Sequence, residues 1–323
     1  MTRPSDEEPI RVGVSACLLG KHVRYDGGHS RDRFVTETLQ RWVEYVPVCP
    51  EVEFGMGTPR PTIRLHDEGD GRGVRLVCPT TDEDLTDAMS AWAKARVEAL
   101  KSEQLDGYIL KNRSPSCGMS RLPIYRGKMR LPQRGIGVFA YALMSEFPGL
   151  PVEEEGRLND DHLRENFIER LFCRFRWRQL LSSGLTRGKL VRFHTQHKLL
   201  LLSHNQPGYR RLGALVGGLN KHNQAQVFQQ YEADFQATLK HRATVKRHVN
   251  VLQHAMGHLK HHLSSLDKHT LLDAIDDYRQ GLVPLVVPIT LLRFNIKRCD
   301  VAYLADQLYF QPHPKELMLR NHC

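Results

Sequence analysis

The spacing of apolar positions along the first 150 residues predicts strands that alternate with helices. Residues 82–103 have apolar side chains at three- and four-residue intervals, which predicts a helix, and another helix is expected to begin at Gly135. Four short apolar runs have the length of buried strands: residues 11–18, 45–49, 74–78 and 106–111. Such alternation is typical of a largely parallel sheet with flanking helices. We therefore predict an α/β fold for this half.

Beyond about residue 156 the pattern is almost wholly helical. Residues 147–156 are rich in Pro, Gly and Glu, which indicates the end of a domain. Residues 160–181 follow with one apolar face, and Asn159 is a candidate cap. Further helices are predicted at residues 189–203, 224–263, 271–280 and 288–309. The predicted organisation is an α/β domain at 1–155, a connecting helix or linker at 156–185 and an all-α domain at 186–323.

The charge of the chain is uneven and points to a polyanionic partner. The formal net charge is +10, and residues 186–323 contain 19 Lys and Arg against 9 Asp and Glu. A basic helical half favours nucleic-acid binding, although a solvated helix face would look similar. The candidate phosphate contacts are Lys189, Arg192, Lys198, Lys246 and Arg247. His254, His258 and His262 have the four-residue spacing of metal ligands, but polar surface or RNA contact is the preferred interpretation.

The seven cysteines are expected to be reduced. No apolar run is long enough to span a membrane, and the N-terminus lacks the apolar segment of a secretory signal. We therefore expect a cytoplasmic protein, in which cysteines serve metal binding or catalysis more often than disulfides.

Cys17, Cys49 and Cys117 each end a strand-like run and begin a loop that contains Pro or Gly. Loops at the carboxyl ends of parallel strands converge on a ligand crevice, so the three thiols are expected to meet. The alternative is that they are small buried residues. The chain has no CxxC pair, which disfavours an ordinary zinc knuckle. The other four are interpreted as structural: Cys78, Cys173, Cys299 and Cys323.

The sequence around these cysteines resembles the DUF523 family, which includes the thiouracil desulfurases. The matching stretches are Val14-Ser-Ala-Cys-Leu-Leu-Gly20, Pro47-Val-Cys-Pro-Glu51 and Ser114-Pro-Ser-Cys-Gly118. The C-terminal half resembles the DUF1722 (YbgA-like) family, for example in Phe193-His-Thr-Gln-His-Lys198. The pairing is similar to the fused tRNA 4-thiouridine desulfidases of the RudS type.

The resemblance implies a [4Fe-4S] cluster held by Cys17, Cys49 and Cys117. Three thiolates leave one iron with an open position, which would take the substrate's sulfur while water adds to the ring carbon, without net redox change. Glu51 lies two residues after Cys49 and is the expected general acid or base, with a loop-capping carboxylate as the alternative. Ser114 is expected to hydrogen-bond the substrate or the water, and Ser116 is the competing choice.

The leading hypothesis is a cluster-dependent desulfidase that converts 4-thiouridine in tRNA to uridine. A free base needs no basic half, so the charge favours RNA, in which the base would be unstacked to reach the cluster. Lys111, Arg113 and Arg60 are weaker candidates for positioning phosphate or base. One alternative is a desulfurase of free 2-thiouracil-type bases. Another is a non-catalytic RNA-binding protein whose cysteines are structural or bind zinc.

Overall fold

A computed structural model describes residues 8–219 and 223–322 of the chain. The chain divides into two compact units, and the boundary in the sequence lies between Asn159 and Asp160. We call them the N-terminal unit and the C-terminal unit. Most of the segment predicted as a connector, residues 156–185, is one long helix that belongs to the C-terminal unit. Cys323, interpreted above as structural, lies outside the described residues.

The strands of the N-terminal unit form two sheets. In the described residues they are β1 (Ile10–Ser15), β2 (Val43–Val48), β3 (Arg64–His66), β4 (Arg75–Cys78), β5 (Glu83–Asp84), β6 (Gly107–Leu110), β7 (Leu122–Arg126), β8 (Met129–Gly135) and β9 (Val152–Glu154). The first sheet has the order β2-β1-β6-β9, and all its pairs are parallel. The helices are α1 (Pro50–Glu53), α2 (Thr86–Ala99) and α3 (Val138–Glu146). The predicted α/β class is thereby confirmed.

The parallel sheet follows from its sequence. In β1 and β6 nearly every residue is buried, as expected for strands covered on both faces. Pro47 lies in β2 at the edge of the sheet, where its missing N–H does not interrupt the ladder. Gly13 in β1 lies against the ring of Tyr108 in β6, and a Cβ at Gly13 would come within 2.2 Å of that ring. This contact explains a glycine inside a buried strand.

The second sheet was not predicted from the sequence. Its order is β5-β4-β3-β7-β8, and only the β3–β7 pair is parallel. The run predicted at residues 74–78 is β4 of this sheet, not a strand of the parallel one. Cys78, at the end of β4, is 3% exposed and packs in the core beneath this sheet. Several of these strands have only two to four residues, too few to show an alternating pattern.

The C-terminal unit is helical, as predicted. Its helices in the described ranges are α4 (Asp161–Ser182), α5 (Arg187–His204), α6 (Gln206–Gly217), α7 (Gln224–Leu239), α8 (Val245–Leu259), α9 (Ser265–Gln280), α10 (Val286–Cys299) and α11 (Ala302–Ala305). The helix predicted at 224–263 is two helices, because the chain breaks before Thr244, whose side chain caps α8 by accepting from the Arg247 N–H. Asp160, rather than Asn159, caps α4.

Aromatic side chains form the centre of the C-terminal unit. Trp177 stacks on Tyr231 with ring centroids 5.5 Å apart, and Phe193 and Phe235 pack edge-on at 5.2 Å. These rings join α4, α5 and α7 into one core. No helix in the described part of the chain is long and apolar enough to cross a membrane.

Candidate active site

Cys17, Cys49 and Cys117 lie at one edge of the parallel sheet. Cys17 follows β1 in a short 3-10 turn, Cys49 is the first residue after β2, and Cys117 lies in the loop after β6. Because β2, β1 and β6 are adjacent and parallel, their carboxyl ends meet at this edge. All three cysteines line a pocket of about 470 Å³, which we call the thiol pocket.

The loop that presents Cys117 is held by its own polar groups. The Ser114 hydroxyl accepts hydrogen bonds from the backbone N–H of Ser116 at 3.2 Å and of Cys117 at 3.1 Å. The N–H of Gly118 donates to the carbonyl of Ser114 at 2.7 Å. A Cβ at Gly118 would come within 2.9 Å of that carbonyl, so the tight turn requires glycine.

The three thiols lie close enough to influence one another's pKa values. Burial raises the pKa of the Cys17 thiol to about 11; the Lys111 ammonium opposes this shift and Cys49 adds to it. Burial also raises the pKa of Cys49, and it raises that of Cys117 well above its usual range, with Cys17 and Cys49 contributing. Three neighbouring thiolates therefore need a compensating positive charge, which bound metal ions supply.

At least one pair of the three sulfur atoms lies more than 4.8 Å apart, because these cysteines do not form a close trio of ligands. Within the described ranges, the trio of potential ligands whose atoms lie within 4.8 Å of one another is Glu165, Glu169 and His313 of the C-terminal unit. Zinc binds thiolates at about 2.3 Å, so two of its sulfur ligands are at most about 4.6 Å apart. In an iron–sulfur cluster each thiolate binds a different iron. The soft donors, their burial and their spacing thus fit a cluster better than one ion.

Glu51 lies in the thiol pocket, and both of its carboxylate oxygens have partners. Oε2 accepts hydrogen bonds from Nε and Nη2 of Arg60 at 3.0 and 2.5 Å. Oε1 accepts from the hydroxyls of Ser116 at 3.0 Å and Ser114 at 3.3 Å. The side chains of Arg60 and Glu51 are 3% and 14% exposed, so their ion pair is shielded from water. Both serines that the sequence offered as alternatives therefore contact the carboxylate.

Arg60 and Lys111 hold the pocket together instead of projecting into it as free charges. Besides Glu51, Arg60 donates to the carbonyls of Val23 at 3.0 Å and Gly57 at 2.9 Å. Lys111 forms an ion pair with Glu155. The sequence singled out both residues as possible contacts to phosphate or base, but it did not indicate these partners.

A second pocket adjoins the thiol pocket and is rich in arginine. Its volume is about 490 Å³, and it shares Asn112 and Arg113 with the thiol pocket. Arg113, Arg121 and Arg130 line it, and none of them forms an ion pair with a described residue. We call it the arginine pocket. Its one acidic lining residue, Glu154, accepts a hydrogen bond from the Met119 N–H at 2.7 Å, and burial raises the pKa of Glu154.

The predicted RNA contacts of the C-terminal unit lie on two helices. Lys189 and Arg192 of α5 line one pocket, and Lys198 lies further along the same helix. Lys189 also donates to the carbonyls of Ser183 and Gly184 at 2.5 and 3.0 Å. On α8, Lys246 is exposed, whereas Arg247 donates to the carbonyls of His204 and Arg242 at 2.6 and 3.0 Å.

The histidines at four-residue spacing do not form a trio of close ligands. His254 and His258 are neighbours, with ring centroids 5.2 Å apart, but among the described residues no metal-sized group includes His262. The trio that does qualify is Glu165, Glu169 and His313, and both of its carboxylates already have partners. Arg320 pairs with Glu165 at 3.0 Å and with Glu169 at 2.8 Å, and His204 lies 3.0 Å from Glu169.

Comparison with known proteins agrees with this site. A family model described as 2-thiouracil desulfurase matches residues 12–155, and one for DUF1722, a protein of unknown function, matches residues 198–314. The uncharacterized protein YbbK of Bacillus subtilis (strain 168) is 32% identical over 151 residues, which are 46% of this chain and 97% of YbbK. The chain belongs to the 2-thiouracil desulfurase family. Membership supports an enzyme that removes sulfur from a thiolated nucleobase.

Two further relatives were found. The uncharacterized protein YbgA of Escherichia coli (strain K12) is 32% identical over 165 residues, covering 51% of this chain and 98% of YbgA. A solved structure titled as a [4Fe-4S]-dependent thiouracil desulfidase, TudS, is 29% identical and covers 46% of this chain and 93% of its own, with a TM-score of 0.37. The resemblance to the DUF523 and DUF1722 families is thus confirmed.

Proposed function

We propose that this desulfurase-family chain is a [4Fe-4S]-dependent desulfidase that converts 4-thiouridine in tRNA to uridine. The observation that supports it most directly is the meeting of three thiols, two buried and one half-buried, with a paired carboxylate in one pocket. When bound by Cys17, Cys49 and Cys117, the cluster would supply a Lewis-acidic iron with affinity for sulfur.

The overall reaction is a hydrolysis without a change of oxidation state. The oxygen of water forms a bond to the ring carbon, the carbon–sulfur bond breaks, and the sulfur leaves as hydrosulfide. The water gives up its protons, so a group in the pocket must accept one and deliver it to the ring or to the departing sulfur. We assign that role to Glu51, the carboxylate that lies in the pocket with the three thiols.

The partners of Glu51 fit this assignment. Arg60 engages Oε2 and fixes the orientation of the carboxylate. Among the described residues, Oε1 is held by two hydroxyls, and hydroxyls can rotate to release or accept a hydrogen bond. Ser114, at the longer distance, is the group that would turn towards substrate or water, while Ser116 keeps Oε1 in place.

The arginine pocket favours a nucleotide over a free base. A free thiobase has no phosphate to pair with the three arginines of the arginine pocket, which form no ion pair with a described residue. If a thiobase of an RNA strand lies in the thiol pocket, the phosphates of that strand come near Arg113, which lines both pockets. The basic C-terminal half adds a second source of attraction. We place the reaction in the cytoplasm, where thiols stay reduced.

The deciding experiment presents both substrates to protein purified without oxygen. Bulk tRNA that contains 4-thiouridine and free 2-thiouracil are incubated separately, and the near-ultraviolet thiobase absorbance and the released sulfide are followed. Loss of the tRNA absorbance with release of sulfide supports the proposal. Turnover of free thiouracil alone, with thiolated tRNA unchanged, would instead favour the free-base enzyme. RNA binding without turnover of either would favour the non-catalytic alternative.

A further inference from the structure

Arg176 of α4 is a shielded cation that forms no ion pair with a described residue, although the Glu169 carboxylate acts on it electrostatically. Its Nη1 has no hydrogen-bond partner and is not exposed to solvent, while Nη2 donates to the carbonyl of Pro312. Burial lowers the pKa of Arg176. Neither Glu169 nor the neighbouring Cys173 provides a hydrogen-bond partner for Nη1. A guanidinium N–H that is held away from water without an acceptor is unfavourable.

Arg176 lines a pocket that contains further cations and no acidic residue. The pocket has a volume of about 370 Å³ and includes Lys189, Arg192, Gln196 and His197 of α5. Lys189 is engaged with backbone carbonyls, but Arg192 is exposed and has no ion-pair partner in the described chain. Two guanidinium groups are therefore available to an anionic ligand. We call this the Arg176 pocket.

His197 gives the Arg176 pocket a buried hydrogen-bond acceptor. The residue is 1% exposed, and its Nδ1 lies 2.7 Å from the carbonyl oxygen of Phe193, which assigns the ring proton to Nδ1. The remaining nitrogen, Nε2, is then an acceptor, and it has no partner. Burial lowers the pKa of His197 to about 3, so the ring is neutral. A ligand that satisfies this pocket must bring both anionic oxygens and a hydroxyl donor.

We propose that the Arg176 pocket binds the sugar-phosphate backbone of RNA, with a phosphate at Arg176 and Arg192 and a ribose 2′-hydroxyl donating to His197. RNA offers these two groups side by side, and the 2′-hydroxyl is the group that distinguishes it from DNA. The inference rests on the proposed function in that the substrate is RNA, and it adds a binding site that lies outside the thiol pocket. Protonated inorganic phosphate has similar chemistry, so the test must separate the two sources.

The test measures binding of the full-length protein to a labelled, unmodified tRNA transcript and to a DNA strand of the same sequence, over a range of salt concentrations. Arg192→Ala and Arg176→Gln are expected to weaken RNA binding about 10-fold each and to lower the salt slope by about one. His197→Phe keeps a packed ring but removes the acceptor, so RNA affinity should fall towards that for DNA. Arg210→Ala removes an exposed arginine outside the pocket and should change affinity less than about twofold.

Unchanged RNA affinity in both Arg192→Ala and Arg176→Gln would overturn the inference. A rise in Tm with inorganic phosphate that Arg176→Gln abolishes, together with unchanged RNA affinity, would assign the pocket to free phosphate. Because Arg192 is exposed, its variant gives an answer even if Arg176→Gln fails to fold. Turnover of thiolated tRNA by the wild-type protein is measured in parallel. Absence of that turnover would count against the proposed function and leave the binding result to decide this inference.

Discussion

Replacing Glu51 by Gln removes one charge from the thiol pocket and should stop turnover without removing the cluster. The amide can keep the packing, because its oxygen can accept from Arg60 while its NH₂ group donates to the hydroxyls of Ser114 and Ser116. What it cannot do is accept a proton from water. General acid–base groups contribute about 10²–10⁴-fold to a rate, which corresponds to about 2.7–5.5 kcal/mol. We therefore expect the single-turnover rate of Glu51→Gln to be lower than that of the wild type by about 10²–10⁴-fold.

Glu53→Gln is the matched control for this variant. Glu53 lies on the same short helix and is also hydrogen-bonded, accepting from the N–H of Cys49 at 2.9 Å and from Arg96 at 2.7 Å. It does not line the thiol pocket. Its replacement should therefore change turnover less than about threefold, since it alters a partly exposed ion pair and one cap.

The assay is a single-turnover reaction of anoxic protein with thiolated tRNA, followed by the near-ultraviolet absorbance of 4-thiouridine, with iron content measured for each variant. Single turnover isolates the chemical step from product release. A single-turnover rate of Glu51→Gln within threefold of the wild-type rate, at equal iron content, would refute the role assigned to Glu51. It would equally be refuted by an effect of Glu53→Gln as large as that of Glu51→Gln. Loss of iron in Glu51→Gln would make Glu51 a structural residue.

Three further outcomes are expected. Cys117→Ala should lower iron content sharply, whereas Cys78→Ala, from the core of the other sheet, should leave it unchanged; equal losses would contradict the assigned ligands. Arg121→Ala should weaken binding of thiolated tRNA several-fold and leave iron content unchanged, and a loss of both would mean that it disturbs the fold. Burial lowers the pKa of His248 to about 3, below the unfolded value near 6.5, so stability is present above pH 6.5 and is lost as pH falls towards 3. His248→Gln should flatten the fall of Tm over that interval, and an unchanged pH profile would refute the assignment.

The position of the thiols could be predicted because it depends on topology. Each of the three cysteines follows an apolar run, and parallel strands place such positions at one edge. Alternation of strands and helices was enough to predict a parallel arrangement. The edge position of β2 accommodates Pro47, which cannot donate to a central ladder.

The partners inside the site could not be predicted, because they depend on long-range packing. Arg60 is a candidate contact to phosphate or base in the sequence, yet it is buried and holds Glu51. Lys111 reads as a phosphate contact, yet Glu155, 44 residues away, neutralises it. The second sheet escaped prediction because its short strands show no period of two.

The ends of helices in the C-terminal unit also could not be predicted from the apolar spacing, because they depend on local capping. Residues 224–263 have a continuous apolar period, but the chain breaks where Thr244 offers a cap. No helix was predicted at the position of α6, whose first turn contains Pro207, although proline is favoured in the first turn of a helix.

The central claim is that Cys17, Cys49 and Cys117 hold an iron–sulfur cluster at the edge of the parallel sheet. The measurement that tests it most directly is the metal and sulfide content of protein purified without oxygen, together with its visible absorption spectrum. The account predicts about four iron and four sulfide per chain, with broad absorption from sulfur-to-iron charge transfer. A colourless protein that contains zinc and no iron would contradict it.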